Sequence, residues 1–129
     1  MEIISMVVWD HYDNVEVTSE WEQYESGTRT YITNPTWFVE SAAGERIERE
    51  TRGSAVALAT LFERMGQIEM VEDRDDVVPT RIAIEGMPAI VTYLRGVHQM
   101  SKGEISEELN VTDETVSKYI TRFRPHTRS

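Results

Sequence analysis

Cysteine is absent from this 129-residue chain. That excludes a disulfide framework, a thiolate zinc site and a cysteine nucleophile, and zinc fingers with them. Long hydrophobic runs are absent too: no apolar stretch approaches the roughly 20 residues a membrane helix needs. Met1-Glu2-Ile3-Ile4-Ser5 also lacks the basic segment that opens a signal peptide. The expectation is a soluble cytoplasmic protein without a membrane partner. There is no Gly-rich phosphate loop and no Gly-x-Ser-x-Gly. The three histidines, His11, His98 and His126, have no second ligand at i+3 or i+4. Asp10-His11-Tyr12-Asp13, the one cluster with acid-base potential, reads as a polar turn between strands. Neither an enzyme nor a cofactor is expected. Lysine is scarce, with 2 of the 13 cationic residues, and 23 acids bring the formal net charge to −10.

What is present suffices for a core. Hydrophobic residues make up 40% and charged residues 28% of the chain, too apolar for a disordered tail. The length fits one small domain or two very small ones. Up to Thr51 the pattern is alternating, β-branched and aromatic, as in Ile3 to Trp9 and Val15 to Thr18, and predicts strands. Glu25-Ser26-Gly27-Thr28 separates Trp21 to Tyr24 from Thr30 to Thr33 and predicts a hairpin with Gly27 at the positive-φ position. Ala42-Ala43-Gly44-Glu45 joins Thr36 to Val39 with Arg46 to Arg49, completing a small antiparallel meander.

Ser54 to Met65 carries Leu58, Leu61, Phe62 and Met65 at i, i+3, i+4 and i+7, with Ser54 as N-cap and Gly66 as stop. That is a helix for packing on the sheet. Gln67 to Val71 and Thr80 to Glu85 read as two further strands, and Glu72-Asp73-Arg74-Asp75-Asp76 between them reads as a solvated linker. The fold class is therefore α+β, with an acidic domain over residues 1–78, for dimerisation or sensing, ahead of a second unit over residues 79–129.

The second unit carries the informative pattern. Pro88 opens a helix to about His98, with Ile90, Val91, Leu94 and Val97 on one face. Ser101-Lys102-Gly103-Glu104 is a capping box that starts a second helix. Asn110 follows where a tight turn between helices wants a left-handed residue. Thr112 then caps a third helix, over about 113–123, whose Val116, Tyr119, Ile120 and Phe123 recur at helical spacing.

Lys102 to Thr121 resembles the helix-turn-helix of bacterial and archaeal transcription regulators. The small Ser106 stands where the helices cross, and Ile105, Leu109, Val111, Val116 and Tyr119 stand at the locking positions. The wording Ser101 to Thr112 is similar to that of haloarchaeal regulators, and the excess of acid with arginine over lysine resembles proteins of halophilic archaea. The resemblance covers about a third of the chain. It implies a regulator that binds double-stranded DNA as a homodimer, since such units commonly pair over half-sites about 34 Å apart. The dimer interface is expected on the helix Ser54 to Met65 or on an edge of the meander.

The residues expected at DNA are Ser101, Lys102, Thr112, Glu114, Thr115, Ser117, Lys118, Thr121, Arg122 and Arg124: short hydroxyls and cations able to reach base edges and phosphates. Charge segregates to match. Met1 to Glu85 carries 7 arginines against 18 acids, whereas Gly86 to Ser129 carries 6 cations against 5 acids. Asp113 and Glu114 oppose phosphate, although they suit the positive end of a helix, and Glu114 suits a cytosine amine. No strand pair follows Arg124-Pro125, so a winged variant is not encoded, and Arg124, His126 and Arg128 form a basic tail. The alternative is an interaction module whose three helices dock on protein.

Overall fold

The long second strand organises the sheet. The computed structural model describes residues 2–9, 14–41, 43–72 and 77–124, and of residues 6–9 only the backbone. Strand β1 (Glu2–Trp9) runs antiparallel along one edge of β2 (Val15–Ser26). The other edge of β2 is shared. β4 (Thr36–Ser41) pairs with Val15 to Glu20, and β3 (Arg29–Ile32) pairs with Gln23 to Ser26. β5 (Arg46–Arg49) closes the sheet beyond β4. The expected hairpin is present, with Gly27 at φ +66° between the paired Ser26 and Arg29.

Val17, Val39 and Ile47 form a cross-strand row, because Val17 pairs with Val39 and Val39 with Ile47. Their side chains enter one core with α1 (Arg52–Met65). This helix begins one turn earlier than the sequence reading places it. Thr51 is the N-cap: its hydroxyl accepts from the Ser54 N–H at 3.1 Å while Ser54 Oγ accepts from the Thr51 N–H. Ser54 to Leu61 are all buried, so the middle of α1 belongs to the chain's own core. Of the helix on which a dimer interface is expected, Arg52 and Arg64 stay exposed and Phe62 and Met65 half-buried.

Thr80 to Glu85 is not a strand. It forms the short helix α2 (Thr80–Ile84), in which the N–H groups of Ile82 and Ala83 both bond the Pro79 carbonyl. Pro79 holds φ at −60°, a conformation preset for entering a helix, and the alternating isoleucines divide into a buried Ile82 and an exposed Ile84. Gln67 to Val71 joins no ladder either. Two hydrogen bonds to the phenol of the buried Tyr93, each 2.8 Å, hold it instead: the hydroxyl donates to the Glu69 carbonyl and accepts from the Val71 N–H.

α3 (Met87–Gly96), α4 (Lys102–Leu109) and α5 (Asp113–Phe123) follow. The main core draws Val17, Val39, Leu58 and Leu61 together with Ile82, Ala89, Tyr93, Val97 and Phe123, so it bridges the division expected between residues 78 and 79. A smaller cluster of Val91, Leu94, Ile105, Val116 and Ile120 holds the last three helices to each other. Arg49, only 5% exposed, fastens the sheet to α3. Its Nη1 donates to the Gly96 and Val97 carbonyls at 3.0 Å each, and Glu72 pairs with its other side. Carbonyls at a helix C-terminus lack internal partners and carry partial negative charge, so a guanidinium satisfies both needs at once. Among the described residues no helix is long and apolar enough to cross a membrane.

Candidate nucleic-acid interface

The corner between α4 and α5 is built by local chemistry. Ser101 and Glu104 form the expected reciprocal cap: the Ser101 hydroxyl accepts from the Glu104 N–H at 3.1 Å and the Glu104 carboxylate from the Ser101 N–H at 2.9 Å. The bond from the Ser101 backbone is the leading reason the Glu104 carboxyl lies below its usual range. Asn110 adopts the left-handed conformation, φ 54° and ψ 48°, and ends α4. Thr112 caps α5 by accepting from the Thr115 N–H at 3.1 Å. Ile105 and Val116 are fully buried where the two helices meet, with Leu109, Val111 and Tyr119 packed partly buried around them.

Burial of Val116, Ile120 and Phe123 fixes how α5 is turned. At about 100° per residue, Glu114, Lys118, Thr121 and Arg122 fall on the opposite side, and all four are exposed. Thr115 and Ser117 flank that stripe half-buried. The Lys118 ammonium sits 3.8 Å from Glu114, both side chains well exposed, and such a pair contributes only about 0.3–0.5 kcal/mol. Arg122 lies 6.0 Å from the Tyr119 ring centre.

Two of the predicted residues serve as caps. The hydroxyls of Ser101 and Thr112 are engaged with backbone N–H groups, while Lys102 and Arg124 stand exposed at the start of α4 and the end of α5. His98 follows the end of α3. Its ring meets the edge of Tyr93 at 5.4 Å, and both ring nitrogens are buried with no hydrogen-bond partner among the described residues. Asp10 to Asp13, Asp73 to Asp76, His126 and Arg128 lie outside the described residues.

The structure adds two cations that the sequence reading does not assign. Arg52 and Arg95 line a pocket of about 240 Å³ with Lys102, Ser117, Thr121 and Arg124. Arg95 is fixed there. Its Nη1 donates to the Met100 carbonyl at 3.0 Å, and its Nη2 lies close to where a Cβ on residue 53 would be, so a side chain there would push this flexible end aside. Burial lowers the Arg95 pKa from its usual value and Glu104 opposes the shift. The signal in the sequence is faint: a helix-opening Arg-Gly and a cation 43 positions later, joined only by the packing of α1 on α3. Comparison with protein-family profiles, curated proteins and solved structures found no significant match to this chain.

Proposed function

We propose that the chain is a sequence-specific DNA-binding regulator in which α5 enters the major groove. The observation that carries this is the two-helix corner with a left-handed Asn110 at its turn and, across it, the stripe of Lys118, Thr121 and Arg122 left exposed by the described residues. Hydroxyls and cations at that spacing address base edges and phosphates. The homodimer belongs to the same proposal, since one such unit makes few contacts. Of the two candidate interfaces the sheet edge is favoured, because Ile3, Tyr24, Tyr31 and Ile32 are exposed there while the middle of α1 lies in the chain's own core.

The test starts with duplexes selected from a random library by the full chain, followed by fluorescence anisotropy on the winning sequence. Lys118→Ala with Arg122→Ala is expected to weaken binding at least tenfold while the thermal midpoint stays within about 2 °C, because exposed substitutions away from caps change stability little. Unchanged affinity in a folded double variant would overturn the assignment of α5.

A further inference from the structure

We infer that the cavity between the start of β2, the end of β4 and the C-terminal end of α1 binds an uncharged, largely apolar small molecule. Its volume is about 510 Å³, within the roughly 300–1,000 Å³ that sites for such ligands span. Val15, Phe62, Ile68 and Met70 wall it. The last three pack against the main core yet remain only half-buried, and apolar surface left wet in a concave site is what an apolar ligand gains by covering.

The polar groups are few, and they select the ligand's charge. Ser41 pairs with Val15 and shares a sheet face with Val39, and its hydroxyl is buried with no hydrogen-bond partner among the described residues. A buried hydroxyl without a partner is costly. No hydrogen bond fixes its rotamer, so a donor on the ligand has an acceptor to turn toward it. Glu63 is already engaged: its carboxylate accepts from the Asn14 backbone N–H at 2.9 Å and from the Asn14 side-chain amide at 3.3 Å, which ties the start of β2 to α1. Glu45 lines the cavity from an exposed position, where an ion pair contributes little. Among the described residues none of the lining side chains is cationic, so nothing there offsets the desolvation of an anion.

The wall bearing Ile68 and Met70 is set before a ligand arrives. Arg81 donates to the Gln67 carbonyl at 2.7 Å, and the Tyr93 phenol holds the Glu69 carbonyl and the Val71 N–H on either side of Met70. Little chain ordering is then left to oppose binding.

The probe is phenyl-naphthylamine, an uncharged aryl amine with a single N–H, and its comparison is anilinonaphthalene sulfonate, the same frame bearing an anion. In a fluorescence titration of the full chain the amine is expected to saturate at one probe per chain, and the sulfonate to bind about tenfold more weakly. Amide NMR on the parent chain is expected to show shifts at Val15, Ser41, Gly66 and Met70 that saturate together with the fluorescence. Met70→Gln, similar in length but polar, is expected to weaken the amine about fivefold, and Ser41→Ala about threefold. Ile32→Gln, on the exposed sheet edge and outside the cavity, is expected to leave it unchanged. The shift map on the parent decides the site even where a variant loses its fold. Absence of saturable binding, equal binding of the sulfonate, shifts at Tyr24, Tyr31 and Ile32 in place of the cavity amides, or undiminished affinity in folded Met70→Gln overturns the inference. None of these readouts uses DNA, so the assignment of α5 keeps its own separate test.

Discussion

Gly96 is the point where α3 touches the backbone of α1, and adding one methyl group there tests how the fold is joined. A Cβ at residue 96 would stand 2.6 Å from the Leu58 nitrogen, 2.9 Å from its Cα and 3.0 Å from the Ala57 carbonyl carbon. No flexible side-chain end can swing aside, so the helices themselves must part by about 0.8 Å for the shortest contact to reach the 3.4 Å of ordinary packing. Parting them loosens Leu58, Leu61, Tyr93 and Val97 together and stretches both bonds from Arg49. Overpacking of this kind costs up to about 3 kcal/mol, and the better helix propensity of alanine returns at most about 1. The net loss of about 2 kcal/mol is a large share of a stability of some 5–15 kcal/mol. At roughly 3–5 °C per kcal/mol for a chain of this size, Gly96→Ala lowers the thermal midpoint by about 6–10 °C in a calorimetric scan. Gly103→Ala is the internal control: its Cβ would meet nothing nearer than the Ser101 hydroxyl at 3.9 Å, so propensity alone acts and the midpoint rises by a few degrees. A Gly96→Ala variant as stable as the parent would refute the close approach of the two helices.

Tyr93→Phe strands the Glu69 carbonyl and the Val71 N–H, each now bonded to the phenol at 2.8 Å. The expected cost is about 1–3 kcal/mol, with hydrogen exchange at the Val71 amide accelerated about tenfold or more, and unchanged exchange there would count against the anchoring role. The Glu104 carboxyl is held below its usual range chiefly by the Ser101 N–H, so its contribution to stability is present above the ordinary carboxylate pKa and disappears as pH falls through the depressed folded value. Urea midpoints followed from neutral to acid pH are therefore expected to show Glu104→Gln below the parent at neutrality and converging with it in acid, and a gap that stays constant with pH would contradict the cap.

The features legible in the sequence are those whose physics is local. Ser101 with Glu104, Thr112, Asn110 and the Gly27 hairpin each concern groups within a few residues, and each is found where the sequence places it. The start of α1 was also within reach, because Thr51 and Ser54 have capping-box spacing. A serine at the third position lacks the carboxylate or amide by which the motif is usually known. Thr80 to Glu85 was ambiguous for another reason: over so short a window an i, i+2 pair of isoleucines suits a strand or one helical turn, and Pro79 with the core beneath Ile82 decides. Arg49, Tyr93, Arg52 and Arg95 were not legible. Arg49 and Tyr93 bond partners more than 20 positions away, Arg52 and Arg95 share a pocket only through the packing of α1 on α3, and Arg46 to Arg49 read only as a charged strand face. The cationic pocket exists because α1 packs on α3, which no spacing within α4 or α5 encodes.

Placement of acids on α5 bears on how such a helix would lie in a groove. Asp113 and Glu114 occupy its first turn, where they stabilise the positive helix end and also repel the phosphate that such an end commonly receives. Glu114 further holds Lys118 within 3.8 Å, so that lysine must leave one carboxylate to reach a nucleic acid, at a cost of only a few tenths of a kcal/mol for an exposed pair. On the flank bearing Ser117, Thr121 and Arg124, the cations Lys102, Arg52 and Arg95 stand alongside. On the function proposed, the backbone therefore runs along the pocket side of α5 and across the start of α4, tilting the helix so that its middle and end, Lys118 to Arg122, read the bases while its acidic start points away from the nearer strand.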